Sequence, residues 1–240
     1  MRGRLLVDLH NHTRHSYDAR NRPDDFRRAH DEGLIDVVAI TDHNTIAGAL
    51  ELREAAEFPV IVGEEIDTAD GELIGLFLEE PLPAGRAAVE TAELIRARGG
   101  LVYVQHPFYR LVHGRLDPGA REELRGCGLI DIVESANGGP YAENANARAL
   151  AWARACGLPH AASSDAHVPQ AIGSCVTAVP AEPLDAVSLP RLLRDGRELR
   201  DVEPGPVALG RIGAARLASE ARALAGREPR RRRHPQMIDR

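Results

Sequence analysis

The sequence predicts an α/β protein in which about seven parallel strands close into a barrel covered by helices. Short runs of Val, Ile and Leu alternate with helical patterns, and Pro and Gly mark helix starts and ends. Polar groups that could bind metal follow nearly every strand. The length of 240 residues suits one barrel domain.

The predicted elements follow one another in strand–helix order. The strands cover Leu5–Leu9, Asp36–Ile40, Val60–Val62, Leu73–Leu78, Leu101–Val104, Ile130–Val133 and His160–Ser163. The helices cover Pro23–Glu32, Thr45–Ala56, Arg86–Arg98, Pro118–Arg125 and Tyr141–Cys156. We expect residues 1–203 to form the barrel domain, and residues 204–240 to form a helix at Val207–Ala225 and a disordered basic tail.

Charge and hydropathy limit the partners that the protein can have. All 30 basic residues are arginines, and residues 204–240 carry nine of them with three acids, a net charge of +6. Residues 1–203 must therefore carry −12 to give the total of −6, and this acidic body makes nucleic acid an unexpected partner. No apolar run is long enough for a membrane span or a signal peptide, so we expect a cytoplasmic protein without a membrane partner.

Groups that can bind metal track the strand ends. They are His10, His12 and Asp18 after the first strand, His43 after the second, Glu65 after the third, Glu72 before the fourth, His106 after the fifth, Glu134 after the sixth, and Asp165 and His167 after the seventh. In a parallel barrel the carboxyl ends of the strands share one rim, where barrel enzymes build their sites. Each group alone could be a loop residue, but a random distribution of histidines and acids would not coincide with the strand ends so closely.

The spacing of these groups also suits metal binding. Alternate residues of an extended strand point the same way, so His10 and His12 can approach one ion, as can Asp165 and His167. Histidine combined with carboxylate suits zinc, manganese and iron. Glu65 could bridge two ions, as carboxylates do in two-metal hydrolases, whereas we expect its neighbour Glu64 to be a surface acid.

Two arginines near the predicted rim, Arg20 and Arg110, are candidates for binding a substrate phosphate through two parallel hydrogen bonds. The remaining histidines do not follow strands in this way, and we expect them to be structural or exposed, with His15 the one best placed to reach the rim. They are His15, His30, His113, His160 and His234.

The motifs DLHNHT, ITDHNT, GEE, HPF and SSDAH, in this order, resemble those of the polymerase-and-histidinol-phosphatase (PHP) domain family. The resemblance covers roughly residues 5–178, and GELIGLFL and HPFYR look closest to small stand-alone members described as metal-dependent phosphoesterases. The resemblance implies a distorted seven-stranded β/α barrel similar to a TIM barrel. It also implies two or three divalent metal ions, which could be Mn, Fe or Zn.

By matching motifs, the resemblance implies a set of metal ligands. These would be His10, His12, Asp18, His43, Glu65, His106, Asp165 and His167. The family usually has a histidine where this chain has Glu72. We keep Glu72 as a candidate ligand, since a carboxylate can serve there and would favour harder ions.

The leading functional hypothesis is hydrolysis of a phosphate ester of a small metabolite or nucleotide by metal-activated water. His167 or His43 could orient the water or relay a proton. Amidohydrolases also begin with a His-x-His motif, but many bridge their metals through a carboxylated lysine, and this chain has no lysine. The sequence is also compatible with a 3'-5' nuclease-like phosphodiesterase and with a metal-binding scaffold that has no catalytic activity. The acidic body disfavours the nuclease, and the full ligand set disfavours the scaffold.

Overall fold

The computed structural model describes residues 3–109, 114–139, 142–194 and 199–201, and within them nine strands form one mixed sheet. The strands are β1 Arg4–Asp8, β2 Val37–Ile40, β3 Val60–Thr68, β4 Gly71–Leu76, β5 Leu101–Val104, β6 Ile132–Asn137, β7 His160–Ser163, β8 Cys175–Pro180 and β9 Leu199–Asp201. The helices are α1 Pro23–Asp31, α2 Ala47–Ala55, α3 Ala88–Ala97, α4 Pro118–Gly126, α5 Glu143–Ala155 and α6 Ser188–Arg194.

Eight of these strands nearly close a barrel. The strand order is β7-β6-β5-β4-β3-β2-β1-β8-β9, and β8 fills the gap between β1 and β7. The hydroxyl of Thr177 in β8 accepts from the amide of Ala162 in β7 (2.7 Å) and donates to its carbonyl (3.1 Å). Beyond the strands, a parallel bridge between Asn11 and Ala166 joins the ends of β1 and β7 directly. The predicted barrel is thus confirmed, with an eighth strand completing its wall.

The expectation that the barrel strands are all parallel is wrong for two of them. β4 runs antiparallel to both β3 and β5, and β8 runs antiparallel to β1. A short hairpin turn joins β3 to β4, where the helix that a parallel connection needs is missing. Because β4 is reversed, its amino end lies at the rim that holds the carboxyl ends of its neighbours.

All seven predicted strands and all five predicted helices of the described residues are present, but three elements were not predicted. These are β8, β9 and α6. A 3-10 turn at Pro169–Ala171, rather than an α-helix, separates β7 from β8, so the strand–helix alternation did not reveal this strand. The predicted helix Val207–Ala225 and the basic tail lie outside the described residues.

Alternation along the strands separates two apolar layers. Val38 and Ile40 of β2 pack in the cluster that contains helix residues such as Phe26 of α1, whereas Val37 and Ala39 belong to a second cluster on the other face of the sheet. The first layer attaches α1 to α5 to the sheet, and the second contains the buried leucines of α6 together with the opposite face of the strands. Among the described residues, no helix is long and apolar enough to cross a membrane.

Candidate metal centre

Nine histidine and acidic side chains meet at one rim of the barrel, and each is at most 10% exposed. His10 and His12 follow β1, Asp18 lies in the loop before α1, His43 follows β2, Glu65 lies in β3, Glu72 in β4, His106 follows β5, and Asp165 and His167 follow β7. The reversal of β4 explains how Glu72, near a strand start, reaches a rim built from strand ends.

Backbone hydrogen bonds continue the sheet past the strand ends and hold these residues together. His43 and Glu65 form a parallel bridge, and the amide of Asp165 donates to the carbonyl of His10 (2.9 Å). His106 and Asp165 have positive φ values of 30° and 51°, which non-glycine residues seldom adopt. Such backbone conformations concentrate at functional sites, where the surrounding structure holds them.

Four side chains bring their donor atoms together in the innermost part of the centre. The Nε2 atoms of His10 and His12 lie 3.1 Å apart, and Glu65 Oε2 lies 3.3 and 3.2 Å from them. Asp165 Oδ1 lies 3.5 and 3.4 Å from the same two nitrogens. Four ligands placed tetrahedrally about 2.1 Å from an ion have donor atoms about 3.4 Å apart. The separations among His10, His12 and Glu65 therefore fit one divalent ion, and Asp165 lies close to the same two histidines.

A second group extends from Glu65 toward the surface. His43 Nδ1 lies 3.6 Å from Glu65 Oε2 and 3.9 Å from Glu72 Oε1. Asp18 Oδ2 lies 3.5 Å from His43 Nε2 and 3.3 Å from His167 Nε2. On the other side, His106 Nε2 lies 3.4 Å from Glu65 Oε1. Both oxygens of Glu65 thus face histidines, so the centre extends to two sides of this carboxylate.

The rings of His10 and His167 are oriented by acceptors at Nδ1. His10 Nδ1 lies 3.0 Å from the Glu134 carboxylate, and His167 Nδ1 lies 2.9 Å from the carbonyl of Asp165. Both partners can only accept, so the proton of each neutral ring is on Nδ1. Each Nε2 then carries a lone pair directed at the centre, the arrangement that metal-ligating histidines usually have.

His12 is oriented by a hydrogen-bond chain that ends on Asp42. The Ser16 hydroxyl donates its hydrogen to Asp42 Oδ1 (2.7 Å), so its oxygen must accept from Nδ1 of His12 (3.1 Å). The same oxygen accepts from the amide of His43 (3.1 Å). When both rings are neutral, the Nε2 lone pairs of His10 and His12 therefore face each other, and a cation between them would relieve the repulsion.

Two buried ring nitrogens add to this evidence. Among the described residues, Nδ1 of His43 and Nδ1 of His106 have no hydrogen-bond partner. Leaving a buried polar atom unsatisfied costs about 1–3 kcal/mol. At His43 this atom points toward Glu65 and Glu72, so a bound cation would satisfy it.

The charges in the centre shift one another's pKa values. Burial by itself raises the pKa of Glu65, but His43 and His10 in their protonated forms outweigh it and hold this pKa well below its usual range. Burial, followed by the nearby carboxylates of Glu65 and Asp67, raises the pKa of Glu72 to about 10. The surroundings of Glu72 therefore disfavour its ionised form, and a nearby cation would favour that form.

Several residues that support the centre were not assigned this role from the sequence. Glu134 accepts from the amide of His106 (2.7 Å) and the side chain of Asn137 (2.9 Å) besides orienting His10. Gln105 donates to Glu65 Oε1 (2.9 Å). Their proximity to strand ends was a visible signal, but their partners come from other strands.

Other sequence-based expectations have mixed outcomes. Glu64 was expected to be a surface acid, and this is wrong, because its side chain is fully buried and accepts from the amide of Leu82 (2.7 Å). It points to the opposite face of β3 from Glu65, under the segment that follows β4. His15 pairs with Glu51 of α2 (2.8 Å) instead of joining the centre.

Of the two candidate phosphate-binding arginines, one lies within the described residues and the other does not. Arg20 is exposed on the loop between β1 and α1, and its amide donates to the carbonyl of His167 (3.2 Å), so it lies at the rim. Arg110 lies outside the described residues, as do His113 and His234.

Histidine nitrogens and carboxylates that converge on the rim of a mixed β/α barrel form clusters that could hold metal ions, and this arrangement is typical of metal-dependent barrel proteins. A model of the PHP domain matches residues 8–116, and a model described as PHP-associated matches residues 143–197. The chain belongs to the PHP domain family, and its fold is that of PHP-like metal-dependent phosphoesterases.

Individual proteins support this assignment. The uncharacterised protein MJ1587 of Methanocaldococcus jannaschii is 41% identical over 117 residues, which cover 43% of this chain and 68% of that protein. A two-domain protein from Bacteroides vulgatus, described as containing a predicted PHP-like metal-dependent phosphoesterase, superposes with a TM-score of 0.68 at 21% identity, covering 90% of this chain and 71% of that one. The lesion-specific endonuclease EndoQ of Pyrococcus furiosus superposes with a TM-score of 0.55 at 15% identity, covering 82% and 57%. At these identities the two structures establish the shared fold alone.

Proposed function

We propose that the protein hydrolyses a phosphate ester of a small metabolite or nucleotide with the aid of two or three divalent metal ions, Mn, Fe or Zn. The proposed ligands are the nine residues of the centre, His10, His12, Asp18, His43, Glu65, Glu72, His106, Asp165 and His167. Residues 1–203 would form the catalytic domain. The observation that carries the proposal is the convergence of the Nε2 atoms of His10 and His12, which lie 3.1 Å apart, with the carboxylates of Glu65 and Asp165.

The charge of the centre supports more than one ion. With neutral histidines, the buried carboxylates of Asp18, Glu65, Glu134 and Asp165 leave a strongly negative pocket, and Glu72, whose pKa is raised to about 10, would add its charge when a cation binds. Two or three divalent ions would neutralise most of that charge. Glu65 belongs to two groups of candidate ligands, one with His10 and His12 and one with His43 and Glu72, so it is the proposed bridge.

Bound divalent ions supply an activated water and stabilise negative charge on phosphate and leaving-group oxygens. Around them, His43 or His167 would orient the water or relay a proton to the leaving oxygen. Each of these imidazoles also faces Asp18, and an imidazole that ligates an ion through one nitrogen has only the other for proton transfer. Nδ1 of His167 is already bonded to a carbonyl, so His43 is the freer of the two for this task.

Substrate binding would involve Arg20, whose position on the loop next to Asp18 lets a guanidinium approach a phosphate held at the centre. Arg110 is kept as the second proposed phosphate-binding residue from the sequence. The acidic body favours a small phosphorylated substrate over a nucleic acid, since phosphate-backbone binding relies on clustered positive charge. We expect the protein to act in the cytoplasm.

The proposal is tested by measuring metal content and activity on the same preparation. Purified protein is analysed for Mn, Fe and Zn, stripped with a chelator and refilled with each ion. It is then assayed against a panel of phosphomonoesters, a single-stranded oligonucleotide and a set of amide substrates. We expect phosphomonoester hydrolysis that is lost on chelation and restored by an ion. Turnover of only the oligonucleotide or the amides would replace the proposal by a nuclease or an amidohydrolase function.

A further inference from the structure

Three rings form a column that leads from the buried centre to the surface. His12 and His43 are stacked with their centroids 4.7 Å apart and their planes 24° from parallel. Tyr17 stacks on His43 in the same way, at 4.8 Å and 25°. His12 is fully buried, whereas Tyr17 is 50% exposed. Tyr17 is thus the most exposed of three stacked rings, and the other two belong to proposed metal ligands.

The loop that carries Tyr17 is held firmly in place. Its ends are joined by a hydrogen bond from the amide of Arg14 to the carbonyl of Asn21 (2.9 Å). The Asn21 side chain donates to the carbonyls of His12 and Ala166 (2.8 Å each), which ties the loop to the barrel wall. Tyr17 therefore does not need to be ordered when a ligand arrives, which lowers the entropic cost of stacking on it.

The residues on either side of Tyr17 point inward, and Tyr17 itself is turned to solvent. Ser16 bonds Asp42, and Asp18 faces His43, and both side chains are buried. In the part of the chain that the structure describes, Tyr17 and Val187 are the only large apolar side chains that are exposed. An exposed aromatic ring is therefore unusual on this surface, and this one lies at the mouth of the candidate site.

We propose that Tyr17 determines substrate specificity by stacking on a planar unsaturated ring of the phosphate ester, either a nucleobase or an aryl group. This inference rests on the proposed phosphoesterase function and narrows its substrate class. The phosphate would be held at the metal centre near Arg20, while the ring would stack on the exposed part of Tyr17. Aromatic stacking of this kind contributes enough to change affinity by roughly 5- to 150-fold.

The test compares substrates with and without a ring in protein refilled with Mn²⁺ after chelation. AMP and phenyl phosphate carry a planar ring of the two possible kinds, and ribose 5-phosphate carries none. We expect Tyr17→Leu to raise KM for a ring-bearing ester about 10-fold more than KM for ribose 5-phosphate. Tyr17→Phe, which keeps the ring, should restore KM to within about twofold of the native value. The ester with the larger loss identifies the kind of ring.

A second measurement does not depend on turnover. Phenylphosphonate and methylphosphonate have no ester bond, and they differ only in the ring. We expect the native protein to bind phenylphosphonate more tightly in calorimetric titrations, and Tyr17→Leu to remove the difference. Val187→Ala, which removes the other exposed apolar side chain, is the matched control and should leave the difference unchanged.

The outcomes separate this inference from the proposed function. If the native protein hydrolyses none of the three esters, the proposed function fails, and the phosphonate titrations still decide the role of Tyr17. If Tyr17→Leu raises KM equally for all three esters, or lowers metal content, Tyr17 merely covers or positions His43 and the inference is overturned. A Tyr17→Phe variant as impaired as Tyr17→Leu would assign the effect to the hydroxyl and also overturn it.

Discussion

Glu65 occupies the point at which the groups of candidate ligands meet. Its Oε2 lies within 3.6 Å of His10, His12 and His43, and its Oε1 lies 3.4 Å from His106. Because the carboxylate is buried, water has little access to replace it as a ligand. At the scale of single residues, this side chain should matter most for holding the ions.

Replacing Glu65 by glutamine keeps the shape of the side chain and removes the charge shared between the two groups. We expect bound metal to decrease and turnover to fall on the order of 100-fold or more, because the amide is a poor bridging ligand. Metal analysis and steady-state kinetics on the same sample measure both. The matched control is Glu64→Gln, next to it on the opposite face of β3, which should keep its metal. Native metal content in Glu65→Gln would rule out a bridging role.

Glu134 acts on the centre through His10, because its carboxylate accepts the Nδ1 proton and thereby directs Nε2 inward. Glu134→Gln replaces this charged acceptor with a weaker neutral one, and we expect metal affinity to fall about 10–100-fold. Competition with a chelating dye measures the affinity. Glu143→Gln, an exposed acid at the start of α5, is the control. Equal affinities in the two variants would contradict a positioning role for Glu134.

At the scale of elements, the reversed strand β4 and the segment that crosses its amino end control the position of Glu72. The amide of Glu72 donates to the carbonyl of Gly114 (2.5 Å). Gly114 has a φ of 82°, and a Cβ there would overlap the carboxylate of Glu72. The absence of a side chain at Gly114 is therefore what leaves room for the Glu72 carboxylate at the rim.

Gly114→Ala should displace Glu72 in addition to straining the backbone. Gly85 has nearly the same φ, 83°, but open space around its Cβ position, so Gly85→Ala isolates the backbone cost, about 1–2 kcal/mol. We expect Gly114→Ala to lose more stability than this control in urea unfolding, and to lose metal as well. If Gly114→Ala and Gly85→Ala had equal stability and metal content, Glu72 would not depend on this contact.

At the scale of the whole molecule, all nine candidate ligands lie between residues 10 and 167, and the net positive charge is confined to residues 204–240. The barrel wall is completed by β8, which ends at Pro180. We therefore expect the chemistry proposed for the rim to require nothing from the last residues of the chain.

A chain that ends at Pro229 removes the consecutive arginines 230–233 and the residues after them. We expect its metal content and kcat/KM to stay within about twofold of the full chain, because every candidate ligand precedes residue 168. Kinetics at two salt concentrations and circular dichroism are the measurements. Loss of turnover in a folded truncated chain would show that the tail enters the site.

Much of the fold could be predicted because hydrophobic period and turn residues are local signals. Seven strands and five helices of the described residues were predicted in this way, with boundaries shifted by a few residues. Strand β8 was missed because it follows β7 through a 3-10 turn instead of an α-helix and pairs with β1, which lies at the start of the chain. Its place in the wall depends on contacts such as that of Thr177 with Ala162, which no local pattern records.

For the site, the sequence by itself determined which side chains can bind metal and that they follow strand ends, because the chemistry of His, Asp and Glu and the period of a strand are properties of single residues and short segments. Only the tertiary structure decided how they meet. It reversed β4 so that Glu72 reached the rim, placed Glu134 behind His10, buried Glu64 and stacked Tyr17 on His43. These relations depend on strand direction and on packing between residues far apart in the chain, so they exist only once the barrel has closed.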